Sequence, residues 1–216
     1  MSVDTHITQK IEAFFTAGLE VRYKKGEIIT HAGEDPRGIS LLLEGLVEQY
    51  DSTPEGNHAT VNIFKPQAFF PMSWAINRTS NEYFYMALTD TTLRWVDADK
   101  VVSFLKENPD VLFDLLRRVY IGTDTLLRRI VLASSGAATS RLAFELLIEA
   151  YRFGVEQGDG EYIVSSKRHE LAARSGLARE TVSRELYKLQ EVGAVTLVPR
   201  GIAVHAARLE GILRVE

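Results

Sequence analysis

Hydrophobic positions along this chain change texture three times, and each texture predicts a different kind of element. Residues 7–18, ITQKIEAFFTAG, read as a short opening helix that ends on Gly18. From Val21 to about Val101 the apolar residues come instead in brief runs cut by glycine and proline. The runs at 27–30, 39–43, 47–50, 60–64, 83–88 and 92–96 read as strands, with Gly33 to Gly38 as a turn and Pro54-Glu55-Gly56-Asn57 as a hairpin tip. Many short strands separated by turn signals predict a small antiparallel barrel or sandwich of jelly-roll type.

Asn108-Pro109-Asp110 then opens a helical pattern that runs to about Ala133. Leu112, Leu116, Val119, Thr123, Leu126, Ile130 and Ala133 follow at alternating steps of four and three residues, a heptad seam sustained for three repeats. A lone helix packed on its own barrel would use part of this surface, through Phe113, Leu115 or Leu127. The stripe is longer than one small barrel can cover, which favours a parallel homodimer joined along the seam. Ser134 to Ser140 is expected to form a hinge, and Arg141 to Phe153 the first helix of a second domain.

The third texture carries the chemistry. In 165–192, SSKRHELAARSGLARETVSRELYKLQEV, two short helical patterns flank Gly176, and Val182, Leu186 and Leu189 give the second one a buried stripe. Leu171 and Ala172 face inward from the first. Two short helices around a tight turn form the helix-turn-helix plan, whose second helix enters the DNA major groove. Arg179, Glu180, Ser183 and Arg184 fall outside the stripe, in the first turns of that helix. Arginine bonds guanine O6 and N7 together, and glutamate accepts from the cytosine amino group. Lys167, Arg168 and His169 start the preceding helix and are placed to grip phosphate, with Ser165 or Ser166 as its N-cap. A solvated face that is merely charged is the plainer reading of the same residues. The adjoining segment favours DNA: Gly193 to Val204 reads as two strands around Pro199-Arg200-Gly201, the wing of a winged helix with Arg200 at its tip.

Composition narrows the class. With 216 residues and 45% hydrophobic content, two modest domains can each bury a core. The absence of cysteine excludes disulfides, thiolate zinc sites and cysteine-ligated iron-sulfur clusters. The N-terminal residues lack a basic region followed by an apolar run, and no stretch approaches the roughly 18 apolar residues that span a bilayer, so a cytoplasmic protein without a membrane is expected. Net charge is -4, yet residues 163–184 hold five basic residues against two acidic ones. A local basic patch on a mildly acidic body suits a binder of few DNA sites.

Barrel, long helix, hinge and winged helix in this order resemble the Crp/Fnr superfamily of bacterial transcription regulators over nearly the whole chain. The motifs that carry the resemblance are KKGEIITHAGEDPRGISLLLEGLVE in the barrel, KENPDVLFDLL at the long helix and GLARETVSRELYKLQEVGAV in the DNA reader. The resemblance implies an α+β fold: a cyclic-nucleotide-binding-like jelly-roll sensor over 1–108, a dimerisation helix with its hinge over 109–136, and a winged helix-turn-helix over 137–216. It further implies a homodimer on a palindromic double-stranded operator with TGTGA- or TTGA-like half-sites. Arg184 and Glu180 would read the inner G·C pair and Arg179 an outer guanine, with Ser183 at a position used in the Fnr branch. RNA polymerase is a further implied partner.

The sensor half departs from the family pattern. Members that bind cyclic AMP have a Gly-Glu-Leu cassette and a following arginine. Here the region reads Ala68-Phe69-Phe70-Pro71-Met72-Ser73-Trp74, Tyr83 takes the arginine position with Arg78 nearby, and Leu126 and Leu127 replace the hydroxyl pair that meets the adenine. Burying a cyclic phosphate without a cationic cradle is costly, so cyclic AMP is not expected and no cofactor is. Phe69, Phe70, Trp74, Arg78, Tyr83 and Tyr85 are the candidates for lining another effector pocket, against the alternative of a filled core. His6, His31, His58, His169 and His205 lack metal-ligand spacing, so no metal site is expected, although haem occurs in this family. An enzyme is disfavoured because no phosphate loop, nucleophile elbow or HExxH pair is present. A nucleotide-like or haem-binding sensor acting through protein contacts is the other alternative, and the Arg179, Glu180 and Arg184 set would be useless to it.

Overall fold

The structure is a computed structural model that describes residues 5–52 and 58–214, so the hairpin tip expected at Pro54 to Asn57 lies outside the described residues. The chain divides into two compact units, 1–121 and 122–216, and the division falls inside one long helix.

The N-terminal unit runs α1 (Thr5–Phe15), β1 (Leu19–Tyr23), β2 (Ile28–Thr30), β3 (Ile39–Glu44), β4 (Val47–Ser52), β5 (His58–Phe64), β6 (Phe69–Phe70), α2 (Met72–Asn77), β7 (Phe84–Ala87), β8 (Thr91–Val96) and α3 (Ala98–Glu107), followed by the start of α4 (Pro109–Ser135). Two antiparallel four-stranded sheets, ordered β1-β8-β3-β6 and β2-β7-β4-β5, form the jelly roll. Alternation along the strands sorts their side chains between two cores. Leu42, Phe70, Leu93 and Trp95 of one sheet meet Val47 and Tyr85 of the other. The next residues along β3, Ile39 and Leu41, point the other way and pack on Ile11 and Phe15 of α1, Val101 and Leu105 of α3, and Val111 of α4.

Helix α3 was not expected. Its N-cap is Asp97, whose carboxylate accepts from the backbone N–H of Asp99 at 3.0 Å and of Lys100 at 3.2 Å.

The C-terminal unit holds the end of α4, then α5 (Ala138–Phe153), β9 (Val155–Gly158), β10 (Glu161–Val164), α6 (Arg168–Ser175), α7 (Arg179–Glu191), β11 (Val195–Val198), β12 (Gly201–His205) and α8 (Ala206–Arg214). Its sheet is ordered β11-β12-β10-β9, so the expected wing hairpin is extended by a second hairpin that precedes the two short helices. Leu142, Leu146, Leu171, Val182, Leu186, Leu189, Val195, Ile202, Val204 and Leu209 make one continuous core.

Helix α4 corrects two expectations. Within the N-terminal unit it turns Val111 and Asp114 inward, with Leu115 packed against the helix cluster, whereas Phe113 is 70% exposed. Leu127, farther along, is also exposed. Leu115, one of the residues expected to face the barrel, does so beside Val111, while Phe113 does not. The expected seven-residue hinge shrinks to Gly136-Ala137, because α4 continues to Ser135 and α5 begins at Ala138. The seam positions Leu112, Leu116, Val119, Thr123, Leu126, Ile130 and Ala133 are all exposed in this single chain.

Candidate nucleic-acid interface

Helix α7 forms because residues 179–191 are rich in good helix formers and repeat apolar residues at three- and four-residue steps. Val182, Leu186 and Leu189 are fully buried, which fixes the rotation of the helix and turns Arg179, Glu180 and Arg184 outward, with Ser183 half-buried beside them. Leu171 of α6 is buried against the same core.

The turn between α6 and α7 depends on Gly176, which adopts a left-handed conformation with φ of 63°. Arg141 of α5 holds this turn by donating to the carbonyls of Ser175 at 2.7 Å and Gly176 at 3.0 Å.

Lys167, not Ser165 or Ser166, is the N-cap of α6. Glu170 reaches back to accept from the Lys167 backbone N–H at 2.7 Å, half of a capping box. Ser166 is diverted inward: its hydroxyl donates to Glu149 of α5 at 2.5 Å and accepts from Arg174 of α6 at 3.0 Å. Arg174 also pairs with Glu149 at 3.1 Å, so this interior site is charge-balanced.

Ser166, Lys167, Arg168, His169 and Arg179 line one open groove of about 450 Å³ with Leu197, Val198, Gly201 and Ile202 of the wing. The structure thus brings the start of α6, the start of α7 and the wing strands to a single concavity, with Arg200 exposed at the hairpin turn. Gly201 is required there, since a Cβ would strike the carbonyl oxygen of Val164. Helix N-termini offer unpaired N–H groups and a positive dipole end, which suits a phosphate backbone.

Two buried carboxylates of this unit were not legible in residue types. Glu185 lies on the buried side of α7, and its carboxylate accepts from Thr139 Oγ1 at 2.6 Å, Lys188 Nζ at 2.9 Å and Arg184 Nε at 3.1 Å. Burial alone would raise this carboxyl, but the three donors together hold it below the usual carboxylate range. Glu145 of α5 behaves oppositely: burial pushes it up even though Arg129 of α4 grips both of its oxygens.

The six candidate pocket residues of the barrel do not share one lining. Phe70, Tyr83 and Tyr85 belong to the cluster between the sheets, where Phe70 stacks on Phe64 at 4.8 Å and on Tyr85 at 5.1 Å between ring centres. Phe69 and Trp74 pack on the other side with α1 and α3. Arg78, in a left-handed conformation at the end of α2, is exposed and paired with Asp99 of α3. Phe64, Phe70 and Tyr85 therefore stack on one another between the two sheets. Among the described residues no three His, Asp or Glu side chains group as metal ligands, and no helix is long and apolar enough to cross a membrane.

Known proteins place this architecture. The sequence profile of the cyclic nucleotide-binding domain matches residues 20–108, and that of the Crp-like helix-turn-helix domain matches residues 140–211. The chain is 30% identical over 179 residues to the transcriptional regulator SdrP of Thermus thermophilus, covering 81% of this chain and 84% of that protein. It is 26% identical over 189 residues to the global nitrogen regulator of Nostoc sp., covering 85% and 83%. Among solved structures, a CRP/FNR-family transcriptional regulator from Thermus thermophilus superposes with a TM-score of 0.73 at 26% identity, over 91% of this chain and 98% of that one. Barrel, long helix and helix-turn-helix, in one order and over most of the chain, make this protein a member of the Crp/Fnr family of DNA-binding transcription regulators.

Proposed function

We propose that this regulator binds an inverted-repeat operator as a homodimer, joined along α4 and reading TGTGA- or TTGA-like half-sites with α7. The observation that carries the reading is the groove that collects Lys167, Arg168, His169 and Arg179 beside the wing, next to outward-facing Glu180 and Arg184. Arg179, Glu180, Ser183 and Arg184 are assigned to base edges, and Lys167, Arg168, His169 and Arg200 to the sugar-phosphate backbone. The exposed seam from Leu112 to Ala133 supports the dimer: Leu112, Leu116, Val119, Leu126 and Ile130 would otherwise stand in water, each at least 38% exposed. Two-fold symmetry of the protein would then be mirrored in the DNA.

The domain plan of sensor over 1–108, dimerisation helix and hinge over 109–136 and reader over 137–216 belongs to the same proposal, as does RNA polymerase as partner. Cyclic AMP is not the proposed effector, because the Gly-Glu-Leu cassette is missing, Tyr83 stands at the arginine position, and the nearby Arg78 is exposed and paired with Asp99. The test is fluorescence anisotropy of an inverted-repeat duplex against a scrambled one. Wild type should prefer the repeat, and Arg184→Ala and Glu180→Ala should narrow the preference. Equal affinity for both duplexes would refute the assignment.

A further inference from the structure

Glu185 occupies a position on α7 where the buried stripe calls for an aliphatic residue, since Val182, Leu186 and Leu189 around it are fully buried. A carboxylate taken out of water there is costly unless each oxygen finds donors. Both do. One oxygen accepts from Thr139 Oγ1 in the first turn of α5, and the other accepts from Lys188 Nζ and Arg184 Nε. The side chain is 2% exposed, whereas Arg184 and Lys188 are 62% and 53% exposed, so a buried anion anchors two cations that stand at the surface.

We propose that Glu185 is a positioning residue for base reading: tied to α5 through Thr139, it orients the Arg184 guanidinium for guanine. This rests on the proposed assignment of α7 to DNA reading. Holding the Nε–H directs the plane of the fork and leaves the two terminal amino groups for O6 and N7, the two acceptors guanine shows in the major groove. An arginine already held in its bound orientation loses less side-chain freedom on binding. Thr139 follows the helix break at Gly136-Ala137 by two residues, so the anchor also fixes α7 against the first turn of α5.

The experiment uses the full-length protein and two readouts. In the absence of DNA, the Arg184 Nε–H proton, assigned by its loss in Arg184→Lys, should exchange slowly with water in wild type. It should exchange several-fold faster in Glu185→Gln and Thr139→Val, and Thr139→Ser should restore slow exchange. On DNA, Thr139→Val and Glu185→Gln should lose about tenfold on the duplex selected by wild type, keep wild-type affinity for random duplex, and lose nothing further when combined with Arg184→Ala. Unchanged exchange in Glu185→Gln overturns the proposal, as do equal losses on selected and random duplex or losses that multiply with Arg184→Ala. Thr139→Val keeps the test open if Glu185 variants fail to fold, because it spares the core. If wild type selects no sequence at all, the DNA-reading assignment fails, while the exchange readout still decides the anchoring.

Discussion

Arg129 and Glu145 form a two-pronged ion pair, with Nε 2.6 Å from one carboxylate oxygen and a terminal nitrogen 2.8 Å from the other. The pair joins the end of α4 to α5, and the Glu145 side chain is 3% exposed. Removing the arginine strands a buried negative charge, the costly way to break such a pair. Arg129→Ala should therefore destabilise the C-terminal unit by about 3–5 kcal/mol in urea unfolding, and Arg129→Met with Glu145→Met by much less. An Arg129→Ala loss no larger than that of the double variant would show that the pair carries no such burden.

Glu145 and Glu185 should leave opposite marks on the pH dependence of stability. Burial raises Glu145, so the native state holds its proton more tightly than the unfolded chain does, and its contribution is present at acid pH and lost as pH rises through the folded value. The donors around Glu185 lower it, so its contribution is present above the unfolded value and lost as pH falls through the folded one. Relative to Glu145→Gln, wild type should lose stability as pH rises above about 4.5; relative to Glu185→Gln, it should lose stability as pH falls below about 4.5. Urea titrations at a series of pH values measure both differences, and slopes of the same sign would contradict the assignment.

Base readers and phosphate grips should separate by salt and sequence. Arg184→Ala or Glu180→Ala should cost about 1–3 kcal/mol on the operator and relax specificity at one base pair. Lys167→Ala or Arg200→Ala should weaken all duplexes alike and reduce the salt slope by about one ion. Anisotropy titrations at several salt concentrations distinguish the two patterns.

Leu126 is 42% exposed in the single chain and lies in the middle of the α4 seam. In the proposed dimer an aspartate there would sit in an apolar interface without a partner, so Leu126→Asp should convert the protein to monomer and lower operator affinity in the same variant. Analytical ultracentrifugation checks the first effect. A dimer that persists would move the interface away from the seam.

The buried stripe of α7, the inward Leu171 and the wing were legible because each is a periodic pattern written in apolar residues. Strands β2, β3, β4, β5, β7 and β8 were legible in the same way, to within a few residues at their ends. Helix α3 carried a readable start signal, Asp97-Ala98-Asp99-Lys100, hidden among strand-like neighbours. The β9–β10 hairpin turns on Gly158-Asp159-Gly160, also readable. Glu145, Glu149 and Glu185 were not legible in that way: each stands on a helix face that apolar neighbours mark as buried, and only the donors brought by other elements make a carboxylate tolerable there. The choice of Lys167 over Ser166 as N-cap has the same origin, since Ser166 is claimed by Glu149. The scattered pocket residues show the converse limit, because aromatic content does not say which side of a sheet each ring takes.

Binding-site selection from a randomised duplex library, using purified full-length protein, tests the central claim most directly. Two inverted half-sites with centres about one helical turn apart, roughly 10 base pairs, and a G·C pair whose enrichment collapses in Arg184→Ala, are the predicted result. Recovery of no sequence above the random background, or of a single site without its inverted copy, would contradict it.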